Sequence, residues 1–275
     1  MKYLKLVAKA EIKESLHTKW FALYSLVFGG AVLALYWTGI TESQIMGLMG
    51  ISRLLLTYFQ LCIVVLPIFI LITTVRSMVG DKESNLLEYM LSMPLAFKDY
   101  FWGKLAGRFS VVMIPIIGAM VIAALWAQIK GAEVEWVVMG LYCLLLISMV
   151  WFFLGLSMLI FSLVQRQETG LSMAFFAWLF LILFIDIILI GVFLQYQIHP
   201  ELVISIALIN PLQDFRTASM SLFDQEFTML GPSSWFILEH FGKVGFRIFS
   251  ILYPIVAGSA MAYLGYKIFS KKDVV

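Results

Sequence analysis

Cysteine, histidine and charge are all scarce in this chain of 275 residues. The two cysteines, Cys62 and Cys143, each sit within a long apolar run. They form no C-x-x-C or Cys/His array, which excludes a disulfide framework and a structural zinc site. The three histidines (His17, His199, His240) are scattered, so buried thiols and interfacial imidazoles are the ordinary reading and no metal site is expected. Catalytic signatures are missing as well. There is no G-x-x-x-x-G-K-[ST] phosphate loop, no H-E-x-x-H and no G-x-S-x-G near a usable histidine, so the chain is not expected to be an enzyme or to hydrolyse ATP unaided. No internal repeat is visible, which removes support for an inverted-repeat carrier. Charged residues make up 13%, against about 25% in an ordinary soluble domain.

What is present is apolar. Hydrophobic residues are 62% of the chain, and water has nowhere to put that much apolar surface, so the solvent must be a bilayer. A span needs about 20 apolar residues to cross about 30 Å of hydrocarbon. Six stretches qualify: Trp20–Gly39, Leu54–Val75, Leu105–Ala127, Val137–Val164, Leu171–Leu194 and Ile248–Phe269. Pro67, Pro115 and Pro254 lie inside them and are tolerable where neighbouring helices satisfy the freed carbonyls. The first run begins at Trp20 and no small-residue cleavage site follows it, so it reads as a retained helix, not a signal peptide. The expected fold is an all-α polytopic bundle.

Orientation follows from the basic residues. Lys2, Lys5, Lys9, Lys13, Lys19, Arg76, Lys82, Lys98, Lys104, Arg108, Arg166, Lys267, Lys271 and Lys272 share one side; Arg53, Lys130, Arg216, Lys243 and Arg247 occupy the other. Acids divide evenly, so the lysine-rich side, with both termini, is assigned to the cytoplasm. Trp20, Trp37, Trp126 and Trp136 fall at span ends, where amphipathic rings prefer the headgroup level.

The segments between spans carry more information. In residues 1–19, Lys5, Lys9 and Lys13 form one stripe of a helix, with Tyr3, Leu6, Val7 and Ala10 broadly opposite. This pattern suits a helix on the inner leaflet, and equally a plain positive anchor. Residues 76–104 form a cytoplasmic hairpin. Asp81 and Glu83 gather where a helix N-terminus would favour them, and Leu86, Leu87, Met90 and Leu91 make a short apolar stripe before Pro94. The stripe needs a protein partner, or it folds back on the chain's own helices. The net acidic loop 195–247 is the largest external feature. Leu202–Ile209 is too short to span and is stopped by Asn210-Pro211, which suits a re-entrant or interfacial segment, and another short helix is expected over Ser234–Phe241.

Three further signals have a bland and a functional reading. Asp186 is the one ionisable residue deep in a span. Such a residue is a proton or cation site or part of a substrate path, or else a protonated carboxyl bonded to a neighbouring helix, which is slightly favoured. The fifteen methionines are dispersed, with no M-x-x-M or M-x-x-x-M cluster backed by Cys or His on an external face, and read as packing filler, not copper ligands. Gly103-x-x-x-Gly107 allows close helix approach, within the chain or between two copies.

The hairpin resembles a known family. Gly80-Asp81-Lys82-Glu83, then Leu86-Leu87-Glu88, Pro94 and Gly103-Lys104-Leu105 are similar to the first cytoplasmic loop of ABC-2 type ABC-transporter permeases. Ala10-Glu11 through Lys19-Trp20 is similar to that family's elbow helix, and six spans with a large loop between the fifth and sixth complete the likeness. Val79-Gly80-Asp81, Asn210-Pro211 with Phe215-Arg216, and Gly265-Tyr266-Lys267 resemble most the permeases that serve nitrous oxide reductase maturation.

The resemblance implies one ABC-2 transmembrane domain over residues 1–275 in a bacterial inner membrane, acting as a homodimer with no nucleic-acid partner. It implies cytoplasmic ABC ATPase subunits that bind ATP and Mg, so the chain needs no cofactor of its own. Gly80, Asp81, Glu83, Leu86, Leu87, Glu88 and Pro94 would transmit their motion. A periplasmic β-helical partner and a part in building a copper site follow from the narrower likeness. The alternatives are an exporter of another substrate, a non-transporting anchor that moves an external protein, and, least favoured, a proton-coupled carrier centred on Asp186.

Overall fold

The structure, a computed structural model, describes residues 2–37, 50–92, 95–129, 136–184, 187, 200–223 and 233–271. Among the described residues it is all helix, with no strand. In chain order the helices are α1 (Lys2–Leu16), α2 (Lys19–Trp37), α3 (Gly50–Glu83), α4 (Leu86–Ser92), α5 (Phe97–Ile129), α6 (Trp136–Leu163) and α7 (Gln167–Leu179). A π-helical turn, Phe180–Phe184, continues α7. Then come α8 (Pro200–Ile209), α9 (Pro211–Phe223), α10 (Ser233–His240) and α11 (Gly242–Lys271).

Four helices are long and apolar enough to cross a membrane: Tyr58–Glu83, Phe97–Trp126, Trp136–Leu163 and Gly242–Lys271. They carry the expected second, third, fourth and sixth spans. The first and fifth are represented by the shorter apolar stretches Phe21–Gly30 and Gln167–Leu183, and Asp186 lies outside the described residues. Pro67, Pro115 and Pro254 sit inside α3, α5 and α11 without ending them. At 34 and 33 residues, α3 and α5 are about 50 Å long, well beyond about 30 Å of hydrocarbon. Their ends at Glu83 and Phe97 therefore project past the apolar zone and carry α4 between them.

Helix α6 is the pillar of the bundle. It is apolar on every face, as a helix must be when neighbours surround it, and Leu146, Phe153 and Phe161 are fully buried along its length. Its closest neighbour is α11. A Cβ added at Gly155 would fall 2.1 Å from the Gly258 carbonyl oxygen, and one at Gly265 would fall 2.8 Å from that of Met158. The two backbones touch because small residues line the seam, as membrane packing favours.

The N-terminal segment is helical, but its buried face is rotated from the expected one. Tyr3, Leu6 and Ala10 are exposed; Val7, Glu11 and Ser15 are buried, with Leu4 and Ala8 partly so. Gly103 and Gly107 decide this. A Cβ at Gly103 would lie 2.8 Å from that of Val7, and one at Gly107 2.7 Å from that of Glu11. The glycine pair thus cuts an intrachain groove for α1, which settles the choice left open between packing within the chain and between copies.

Asn210-Pro211 ends one helix and opens the next where expected. The Asn210 side chain accepts from the Leu212 amide at 3.1 Å, and Pro211 opens α9 at the position where no amide hydrogen is needed. The short helix expected at Ser234–Phe241 is α10, shifted by one residue.

Candidate coupling site

The hairpin does not begin a new helix at its acidic residues. Instead α3 continues through Gly80, Asp81, Lys82 and Glu83, and turns at Ser84-Asn85. Asn85 adopts φ +58°, a left-handed conformation asparagine tolerates better than most residues. Asp81 and Glu83 therefore sit at a helix C-terminus, where the macrodipole disfavours them. What holds them there is tertiary.

Three consecutive side chains, about 100° apart around α3, reach three different helices. Asp81 Oδ2 lies 2.8 Å from Lys104 Nζ and accepts from the Tyr100 hydroxyl at 2.8 Å, both on α5. Lys82 Nζ donates to the carbonyls of Phe161 (2.7 Å) and Val164 (3.0 Å) at the C-terminus of α6, above the rings of Phe161 and Phe269. Glu83 accepts from the Gln167 amide at the N-terminus of α7 (3.3 Å). Both helix ends thereby receive the charge their dipoles favour. Gln167 returns a bond to the Arg76 carbonyl at 3.1 Å. A Cβ at Gly80 would meet only Gln167 Nε2, at 3.7 Å, so packing alone does not demand glycine there.

The ion cluster extends to α1. Lys104 Nζ also contacts Glu11 at 2.6 Å, and Arg108 Nε contacts the other Glu11 oxygen at 2.6 Å. Glu11 is 2% exposed and Lys104 7%, so these are buried pairs, not solvated ones. Two carboxylates and two cations in mutual contact offset the desolvation that would expel any one of them alone. The cluster ties α1, the end of α3 and the start of α5 into one unit.

On α4 the expected stripe divides. Leu87 is buried in the core, 3% exposed, and Met90 packs partly against it. Leu86, Glu88 and Tyr89 face outward, Tyr89 at 65% exposure. The stripe thus folds back in part on the chain's own helices and in part remains open. Pro94 lies outside the described residues.

Sequence reasoning placed Glu11 and Lys104 in resembling motifs without seeing them as partners. The available signal was an acid on the far side of a lysine stripe and a lysine beside a small-residue groove. Asp214 was missed as well. It is fully buried on α9, and its Oδ1 accepts from the Ser250 hydroxyl of α11 at 2.6 Å. Burial pushes its carboxyl up to about 7, with the Ser250 hydrogen bond pulling the other way. Cys143 Sγ approaches Met120 Sδ at 3.8 Å, while Cys62 is buried separately among apolar side chains. Among the described residues, no three His, Cys, Asp or Glu side chains converge as metal ligands would.

The site thus belongs to a bundle with four helices long and apolar enough to cross a membrane, in which buried ion pairs join α1, α3 and α5 and a short helix, α4, follows the end of α3. Residues 40–241 match the family described as ABC-2 family transporter protein, and the chain belongs to that family. It is a transmembrane subunit, not itself the ATPase. Among its relatives is the "Probable ABC transporter permease protein NosY" of Stutzerimonas stutzeri, 22% identical over 235 residues, covering 83% of this chain and 85% of that one. The protein of the same name from Pseudomonas aeruginosa is 24% identical over 230 residues, covering 79% and 82%.

Proposed function

We propose that this permease converts ATP hydrolysis by a separate cytoplasmic ABC ATPase into movement of its own helices, with Gly80–Pro94 as the receiving segment. The observation that carries this reading is the two-sided build of α4: Leu87 anchored in the core, Leu86, Glu88 and Tyr89 outward. Force on the outward side reaches Asp81, Lys82 and Glu83 through the turn, and from there α1, α5, α6 and α7 together. ATP and Mg belong to the partner. The chain acts as a homodimer of six spans per copy in a bacterial inner membrane, with α1 as the elbow helix and both termini cytoplasmic.

The narrower resemblance, to permeases that serve nitrous oxide reductase maturation, favours work delivered to a periplasmic β-helical protein during building of that enzyme's copper site, and the two relatives named as probable NosY permeases support it. Residues of α9 support delivery to the outside: Leu212, Phe215, Ala218 and Leu222 are buried in the same core as α3 and α6. A shift of the spans therefore moves the external helices, whether or not a solute crosses.

The test is the Leu86→Asp/Tyr89→Asp double substitution, made with the cognate ATPase co-expressed. Both residues are exposed, so the melting temperature should hold while ATPase co-purification and coupled activity are lost. Retention of both would overturn the assignment.

A further inference from the structure

A cleft of about 200 Å³ opens between α3, the π turn and α9. Its walls differ along its length. Val64, Leu181 and Ile182 form an apolar part, while Gln60, Gln213 and Arg216 form a polar one. Gln60 and Val64 are one turn apart on α3, about 6 Å along its axis, so the polar part lies nearer the α3 N-terminus and the apolar part deeper. Gln213 and Arg216, three apart on α9, share a face.

Two features make this more than a gap between helices. First, the wall at Leu181 and Ile182 is π-helical, a rare geometry found frequently at functional sites. A tertiary bond meets it there, Asn210 Nδ2 donating to the Leu181 carbonyl at 2.6 Å. Second, the charge is one-sided. Arg216 is exposed and pairs with no carboxylate among the described residues. The neighbouring acid, Asp214, is fully buried away from the cleft and bonded to Ser250.

We propose that the cleft binds one anionic phospholipid of the outer leaflet, its phosphate at Arg216 and one acyl chain along Val64, Leu181 and Ile182. A guanidinium recognises phosphate oxygens in a fork geometry, which gives preference for an accessible, negatively charged head. The apolar wall demands a chain, which a free phosphate lacks. Outer-leaflet placement rests on the orientation adopted above, with the α3 N-terminus outside.

The experiment uses the purified full-length permease with its ATPase, followed by native mass spectrometry against phosphatidylglycerol, phosphatidylcholine and glycerol phosphate. Wild type should retain phosphatidylglycerol about tenfold better than phosphatidylcholine, because the choline cation of the latter neutralises the head group and is repelled by the Arg216 guanidinium. Arg216→Gln should bring the two lipids near parity, and Val64→Trp should lower retention of both. Arg216 is exposed, so its substitution leaves the core intact and keeps the result readable even if Val64→Trp disturbs folding. Equal retention of both lipids by wild type, unchanged discrimination in Arg216→Gln, or displacement of lipid by glycerol phosphate would each overturn the site. ATPase co-purification is read in the same samples, so failure of the lipid site and failure of the coupling reading are separately visible.

Discussion

Near the C-terminus of α3 the fold buries Glu11 and Asp81 against Lys104 and Arg108; near the N-terminal half of the same helix it buries Asp214 against a serine hydroxyl. Phe59 of α3 contacts Phe215 of α9, so some 22 residues of α3, about 33 Å, separate the two sites. Both remove carboxylates from water, and they solve the cost differently. The first supplies opposite charge, which fixes three helices relative to one another. The second supplies one hydrogen bond and leaves the carboxyl inclined to hold its proton. The first is suited to transmit force, and the second responds to pH.

The sharpest way to break the contrast is at its charged end. Lys104→Met removes the cation shared by Glu11 and Asp81, leaving Glu11 to Arg108 and Asp81 to the Tyr100 hydroxyl alone, and removing one member of a buried cluster costs about 3–5 kcal/mol. We expect a large fall in the melting temperature in detergent, or no folded protein. If Lys104→Met melted like wild type, the ion cluster would not hold the helices.

At the other end the expected effect is smaller and depends on pH. The Asp214 carboxyl is raised from its ordinary value of 3.8 to about 7 by burial. Between those values the native state holds more protons than the unfolded chain, so stability falls as pH rises through that window. Asp214→Asn, which keeps an acceptor for Ser250, should flatten that decline and raise the melting temperature a few degrees at pH 8. Melting curves from pH 5 to 8 measure it, and an unchanged slope would refute it.

Tyr100→Phe sharpens the comparison most finely. It removes the neutral donor to Asp81 while leaving Lys104 in place. The loss should be near about 1 kcal/mol, a modest shift in the same melting assay. A fall as deep as that of Lys104→Met would mean the hydroxyl, not the charge, dominates at Asp81.

Much of the fold was legible in the order of residues. Apolar runs located α3, α5, α6 and α11, because crossing a bilayer sets a minimum length that a count of residues reads directly. Asn210-Pro211 and the helix at α10 were readable from local backbone chemistry. The buried face of α1 was not, because the lysines define which side avoids the core but not which of the remaining residues meets α5. The run Asp81-Lys82-Glu83 misled for a related reason. As a local pattern it resembles a helix start, yet α3 passes through it because three separate helices supply partners for the three charges.

The sequence by itself determined that this chain lives in a membrane, how its long helices are spaced, and that it carries no phosphate loop of its own. Each of these depends on composition or on neighbours within a few residues. Tertiary structure alone decided that Lys104 joins Glu11 to Asp81, that Gly103 and Gly107 receive α1, and that Asp214 is buried beside Ser250. Such pairings join residues far apart along the chain, and only the packed geometry of the helices sets which charged groups are taken out of water together.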